Sequence, residues 1–77
     1  MNGDRFTLDL HGVRHKDVSR KIDTFIGDHL LNGTSTIFIM TGRSPDMKKI
    51  VNNTLGDYQL TSIEHINNPG IVTVSLS

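Results

Sequence analysis

A two-layer α/β fold, a four-stranded mixed sheet with both helices on one face, is what this sequence predicts, and three observations carry the prediction. Two stretches of helical periodicity separate three stretches of strand character, and a fourth strand-like stretch closes the chain. The order is therefore β-α-β-α-β-β. The second strand-like stretch, STIFIMTG, is apolar on both faces at Ile37, Phe38, Ile39 and Met40, as a central, parallel strand should be. A strand-helix-strand crossover is right-handed almost without exception, which sends both helices to the same side of the sheet.

Each element has its own warrant. Over residues 5–11, Phe6, Leu8 and Leu10 alternate with Thr7, Asp9 and His11 until Gly12 stops the run, so Leu8 and Leu10 belong on the core face. From residue 15 to about residue 31, Val18, Ile22, Phe25, Ile26 and Leu30 recur at spacings of three and four. Asp17 suits the start of that helix, and Asn32-Gly33 suits its end. His29 falls within the stripe and is expected as a half-buried histidine in the last turn. After the strand at 35–42, Ser44 is a sound N-cap, Pro45 is preset for the first helical position and Asp46 favours the first turn. Met47, Ile50, Val51 and Leu55 give the second helix its stripe, and Gly56 closes it. YQLTSIEHI and GIVTVSLS are two strands, joined by Asn67, Asn68, Pro69 and Gly70.

With 77 residues the chain is expected to be a single domain, 1–77, standing alone on its own hydrophobic core. It has no cysteine, which excludes disulfides and thiolate zinc sites and favours a reducing, cytoplasmic setting. MNGDRFTLDL holds no apolar stretch of signal-peptide length, and no segment is long enough to cross a bilayer as a helix. Eight basic residues balance eight acidic ones, which argues against strong, sequence-blind binding to nucleic acid. The distribution says more than the sum. Arg14, His15, Lys16, Arg20 and Lys21 follow the first strand and Arg43, Lys48 and Lys49 follow the second, so a local basic face is expected.

Side chains two apart on a strand share a face, about 6.5 to 7 Å apart. Asp9 and His11 thus fall together on the uncovered face, at the C-terminal end of a strand, where open α/β sheets place their sites. A carboxylate there can orient an imidazole for acid–base work near neutral pH. The same spacing also describes polar residues on the solvent face of an edge strand. TGRSPD, residues 41–46, should lie beside Gly12 at the same sheet edge. A glycine turn entering a helix N-terminus suits a phosphate, and Arg43 adds a fork of donors. Pro45 removes one N–H and Asp46 adds a negative charge, so the segment also reads as a plain helix start. Asp9, His11 and His15 are separated by a glycine turn and have no fourth ligand at a suggestive spacing. No metal site and no cofactor are therefore expected, with a divalent ion left as the alternative. His65 carries no sharp signal, and Phe38 and Met40 read either as an apolar patch or as a partly covered central strand.

LDLHG (Leu8 to Gly12), followed by an amphipathic helix, resembles the opening motif of Smr (small MutS-related) domains. TGRS (Thr41 to Ser44) stands where that family has a His-Gly-x-Gly turn, and GIVTVSL (Gly70 to Leu76) resembles its last strand. The resemblance runs from about Phe6 to Leu76 and rests on the order and spacing of the three motifs. It implies a fold like the C-terminal domain of bacterial translation initiation factor three. It also implies nucleic acid as partner and endonuclease activity on RNA or DNA, including mRNA cleavage at stalled ribosomes. Asp9 and His11 match the family's Asp-x-His pair and Gly42 its turn glycine, while Arg43 falls in the variable place of the turn. Thr41 replaces the turn histidine, Ser44 the second glycine, and Pro45 and Asp46 the glycine-rich continuation.

Three functions follow as expectations. In the first, a small nuclease acting on RNA rather than DNA uses His11 to shuttle a proton, Asp9 to orient it or assist as base, and Arg43 to stabilise charge. Gly12, Arg14, His15, Lys16, Thr41, Gly42, Ser44 and Lys48 would hold the nucleic acid. In the second, the domain binds nucleic acid or the ribosome without cutting. In the third, it is a protein-interaction domain using the uncovered sheet face, as a monomer or weak dimer.

Overall fold

A computed structural model describes residues 5–65 and 67–76. Its elements are β1 (Thr7–Asp9), α1 (His15–Leu31), β2 (Thr36–Met40), α2 (Pro45–Gly56), β3 (Ser62–His65) and β4 (Asn68–Ser75), the order expected from the sequence. The strands lie in the order β1-β2-β4-β3. β1 pairs parallel with β2, and β4 runs antiparallel to both β2 and β3. β1, β2 and β3 therefore share a direction, and their C-terminal ends meet the start of β4 at one edge of the sheet.

The period of two along β2 sorts the layers. Ile37 and Ile39 are buried, while Phe38 and Met40 are half-buried on the face away from the helices. Leu10, Val72 and Val74 join the isoleucines from the sheet, Val18, Ile22 and Ile26 come from α1, and Met47, Val51 and Leu55 come from α2. Complete burial of a side chain of this size contributes about 1.5–3 kcal/mol, and that set is the core that holds a cysteine-free chain together. None of the described helices is long and apolar enough to cross a membrane.

α1 has the bounds its periodicity predicts, but its buried line ends on His29 and not on Leu30, which is 49% exposed. The imidazole lies between Phe6 and Phe25, with ring centroids 5.6 and 4.5 Å away. Its Nε2–H donates to the Arg5 carbonyl at 2.9 Å, and its Nδ1 pairs with the Thr34 hydroxyl at 2.9 Å. A carbonyl only accepts, so Nε2 carries a proton. With both nitrogens bonded, burial leaves no polar atom of the ring unsatisfied. Beyond it, Gly33 N–H bonds Leu30 O and Thr34 N–H bonds His29 O, the paired closure of a Schellman motif.

Several boundaries differ from the sequence expectation. β1 starts at Thr7 and not at residue 5, and β2 spans Thr36–Met40 and not 35–42, since Thr41 and Gly42 turn onto the Gly70 carbonyl. β1 ends at Asp9 and not at residue 11, because the Asp9 side chain takes up the His11 N–H. Gly56 is the last helical residue of α2 but not its reversal: the left-handed residue is Gln59, at φ 59°. Gln59 N–H bonds Gly56 O and Leu60 N–H bonds Leu55 O, which folds Leu60 back against the core. The third strand consequently starts at Ser62, four residues later than expected. β4 starts at Asn68, inside the expected loop, where Asn68 is in register with His65. Residues 66 and 77 of the expected third and fourth strands lie outside the described residues.

The helices are pinned to each other by a Ser19–Thr54 hydroxyl pair at 2.8 Å and by Tyr58 OH donating to Asp23 Oδ1 at 2.9 Å. That hydrogen bond, then desolvation, then the charges of Asp23 and Asp57, raise the Tyr58 phenol above its ordinary 10.0. The folded state thus binds this proton more tightly than the unfolded chain does. The resulting stability is present below pH 10.0 and is lost as the pH rises through the folded value. The chain has one tyrosine and no tryptophan, so an ultraviolet absorbance titration reads this residue alone. Ionisation is expected above the ordinary tyrosine value, and Asp23→Ala is expected to bring it back towards that value.

Candidate functional site

Two turns leave the sheet side by side. Leu10 N–H donates to Met40 O at 3.0 Å, so β1 and β2 stay paired to their last residues. After β1 the chain reverses through Leu10-His11-Gly12-Val13, closed by Val13 N–H on Leu10 O at 3.0 Å, with Gly12 at φ +77°. After β2 it reverses through Thr41, Gly42 and Arg43, with Gly42 at φ +67°. Positive φ within such a turn strains any residue with a Cβ, which accounts for the glycines in LDLHG and TGRS.

Asp9 and His11 are both exposed, and the structure joins them differently from the expected carboxylate–imidazole pair. Asp9 Oδ1 accepts the His11 main-chain N–H at 2.8 Å. The ion pairs among the described residues are Arg20–Asp17 and Lys48–Glu64, so the His11 ring and Asp9 form none. Because β1 ends at Asp9, the two residues are not neighbours along a strand. The aspartate fixes where His11 stands by holding its backbone.

The second turn rests on Gly70. Its carbonyl accepts Thr41 N–H at 2.8 Å, Gly42 N–H at 3.0 Å and the Thr41 hydroxyl at 3.3 Å. The same hydroxyl reaches Gly42 O at 2.9 Å, and Thr41 is buried. Gly70 N–H is taken by Asn68 Oδ1 at 3.0 Å. A Cβ on Gly70 would stand 3.3 Å from Gly42 Cα and 3.2 Å from Asn68 Oδ1, so only glycine fits without displacing the turn.

The two helix starts differ in kind. Ser44 Oγ accepts Met47 N–H at 3.2 Å and Pro45 has no N–H, so α2 caps itself, as the plain helix-start reading of TGRSPD expected. α1 begins at Arg14 without a side-chain cap, and Arg14, His15 and Lys16 are all exposed. Cations are ordinarily unfavourable at this positive end of a helix dipole, whereas an anion is welcome there. Arg43 is exposed on the neighbouring turn. Among the described residues, Arg14, His15, Lys16 and Arg43 make no ion pair. Lys48, grouped with them from the sequence, instead holds Glu64 of β3 at 2.7 Å.

The structure therefore brings Asp9, His11, Gly12, Gly42 and Arg43 together on one edge, with the uncapped start of α1 following the first turn. Thr41 and Ser44 are on that edge but engaged internally. No group of three or more histidine, aspartate or glutamate side chains among the described residues is placed to hold a metal. His65, which carries no sharp signal in the sequence, stands at the C-terminal end of β3 and so on the same edge. Only the strand order reveals this, because β4 has to insert between β2 and β3. An exposed imidazole beside an exposed guanidinium is suited to proton transfer and charge stabilisation at a phosphodiester.

Gly70→Ala is expected to destabilise the fold by about 1–3 kcal/mol in chemical denaturation, the usual cost of forcing atoms into a filled space. Amide exchange at Thr41 and Gly42 is expected to accelerate ahead of the core strands.

The Smr domain model matches residues 8–68, a span that takes in LDLHG and TGRS and ends at the first residue of β4. No curated protein sequence matches the chain. Among solved structures it is similar to the crystal structure of YdaL, a stand-alone small MutS-related protein from Escherichia coli. The TM-score is 0.69 at 19% identity, over 96% of this chain and 66% of YdaL. The chain spans just under two thirds of that protein's length, and the likeness is one of fold.

Proposed function

The chain belongs to the Smr domain family, generally nucleases and nucleic-acid-binding domains, and from that we propose that it is an endonuclease acting on RNA. The observation that carries the reading is the convergence of two glycine turns from adjacent parallel strands. They set the exposed His11 and Arg43 at one sheet edge, close to a basic, uncapped helix start.

In this reading the 2′-hydroxyl of RNA is the nucleophile. His11 accepts its proton as the 2′-oxygen–phosphorus bond forms, and a proton returns to the 5′-oxygen as the phosphorus–oxygen bond to it breaks. The products are a 2′,3′-cyclic phosphate and a free 5′-hydroxyl. Arg43 stabilises the negative charge that develops on the phosphoryl oxygens. Asp9 acts through its bond to the His11 backbone and is a positioning residue. Arg14, His15 and Lys16 hold flanking phosphates together with the free amides of α1. Gly12, Thr41, Gly42 and Ser44 shape the turns. Lys48 reaches the backbone only by releasing Glu64.

A cleavage assay on labelled RNA, with a chelator present, tests the proposal. His11→Ala is expected to lower the rate by about 10²–10⁴-fold, the range of general acid–base catalysis, while binding is retained. Equal rates in the variant and the parent would remove His11 from the chemistry.

A second reading, binding without cleavage, draws on the replacements in the second turn. Thr41 stands in the place of the turn histidine with its hydroxyl facing the Gly42 and Gly70 carbonyls, and Ser44 is engaged as a helix cap. Both readings share the phosphate contacts. Arg14→Ala and Lys16→Ala are each expected to weaken RNA binding and to reduce the salt dependence by about one counterion-release unit, measured by titration at several salt concentrations. Binding that is salt-sensitive in this way, with no cleavage in the parent protein, selects the second reading.

A further inference from the structure

A depression of about 390 Å³ lies on the β3–β4 hairpin, lined by Ile63, Glu64, His65, Asn67 and Thr73. The strand period explains its make-up. Ile63 is in register with Thr73, and both fall on the face that the helices leave uncovered. Ile63 is 72% exposed, a large apolar side chain facing water. Glu64 is directed by the same alternation to the helix side, where Lys48 holds its carboxylate at 2.7 Å and neutralises it. A register shift between Glu64 and His65 takes the histidine out of the regular alternation. His65 Nδ1 accepts the Asn67 N–H in a long bond of 3.4 Å, and the ring is exposed.

An apolar floor, a flat ring beside it, an amide and a hydroxyl at the rim and no unpaired charge make a defined chemical demand. The lining offers a phosphate no cation, and the one carboxylate that a metal ion would use is already paired. It suits a flat, uncharged heteroaromatic ring with polar edges. We propose that this depression is a nucleobase subsite for single-stranded RNA, an inference that rests on the nucleic-acid reading above. His65 stacks on the base, and Asn67 and Thr73 meet its edge.

The location supports the chemistry. β1, β2 and β3 share a direction, so His11, Arg43 and His65 follow one another along a single sheet edge. β1 and β3 are three strand spacings apart, roughly 14 Å. A strand held by its phosphates at the first two turns continues directly over the third. A base in a duplex is stacked and paired and does not enter such a depression, which selects single strands.

Fluorescence anisotropy with the whole protein tests the subsite, using a labelled single-stranded RNA, its duplex and an abasic strand of equal length. His65→Ala is expected to weaken single-strand binding about tenfold, the size of one base–aromatic stack, and to leave duplex binding unchanged. His65→Phe is expected to keep most of the affinity, and the abasic strand should not distinguish His65→Ala from the parent. The subsite is refuted if His65→Ala binds the single strand as the parent does while Arg14→Ala weakens it, and the nucleic-acid reading then stands. Equal losses on the abasic strand, or a His65→Phe as weak as His65→Ala, also overturn base stacking. A parent protein that binds none of the three strands refutes both readings together.

Discussion

The working edge of this domain hangs on the main-chain carbonyl of Gly70. The β2–β4 ladder reaches Met40 and Ile71, and beyond it the two strands have to part. Two successive N–H groups, from Thr41 and Gly42, nevertheless converge on that carbonyl, with the Thr41 hydroxyl beside them. An extended chain presents successive N–H groups to opposite sides, so this convergence requires a sharp change of direction. That change lies at Thr41, and Gly42, at φ +67°, then turns the chain out of the sheet. The chain leaves the sheet there, places Arg43 at the surface and arrives at Ser44 in position to cap α2. Gly70 lacks a Cβ because Gly42 occupies the space a Cβ would need. Turn geometry, helix start and the standing of Arg43 are thus consequences of one close backbone approach.

The same approach buries Thr41. A threonine hydroxyl is short enough to bond the carbonyls next to it from a buried position, so the residue becomes part of the turn's fastening. In the proposed cleavage reading, the chemistry at this edge would fall to His11, on the neighbouring turn. The electrostatics follow a similar division. Arg20 is paired with Asp17 and Lys48 with Glu64, while Arg14, His15, Lys16 and Arg43 are left without ion pairs among the described residues. Arg5, Lys21 and Lys49 likewise make no ion pair among those residues, so this edge holds part of the unpaired basic charge of a chain with no net charge. The proposed phosphate contacts would depend on such local charge and not on the total.

How far the sequence was legible depended on the range of the governing interaction. Period and capping are local, and they located α1, the start of α2 and nearly all of the core. Stripe counting failed at Leu30 because it scores apolarity: His29 is buried in its stead by satisfying both ring nitrogens. Gly56 was legible as the end of α2, whereas the left-handed reversal at Gln59, which returns Leu60 to the core, was not. Asp9 and His11 were legible as a pair, though not how they are coupled. A side-chain bond to a backbone N–H two residues on leaves no periodic trace. His65 was illegible for a different reason, since its place at the edge depends on a strand order that no local window contains.

The coupling of Asp9 to the His11 backbone changes what the Asp-x-His pair is for. A carboxylate bonded to an imidazole sets the ring's tautomer and favours its protonated form. One bonded to the main chain sets where the residue stands. It shortens the strand by two residues and starts the turn that Val13 N–H and Gly12 complete. The residue is then placed by backbone geometry and its ring stays exposed. Under the proposed cleavage reading, the sheet edge holds the histidine's backbone in place, and a bound RNA would orient its ring.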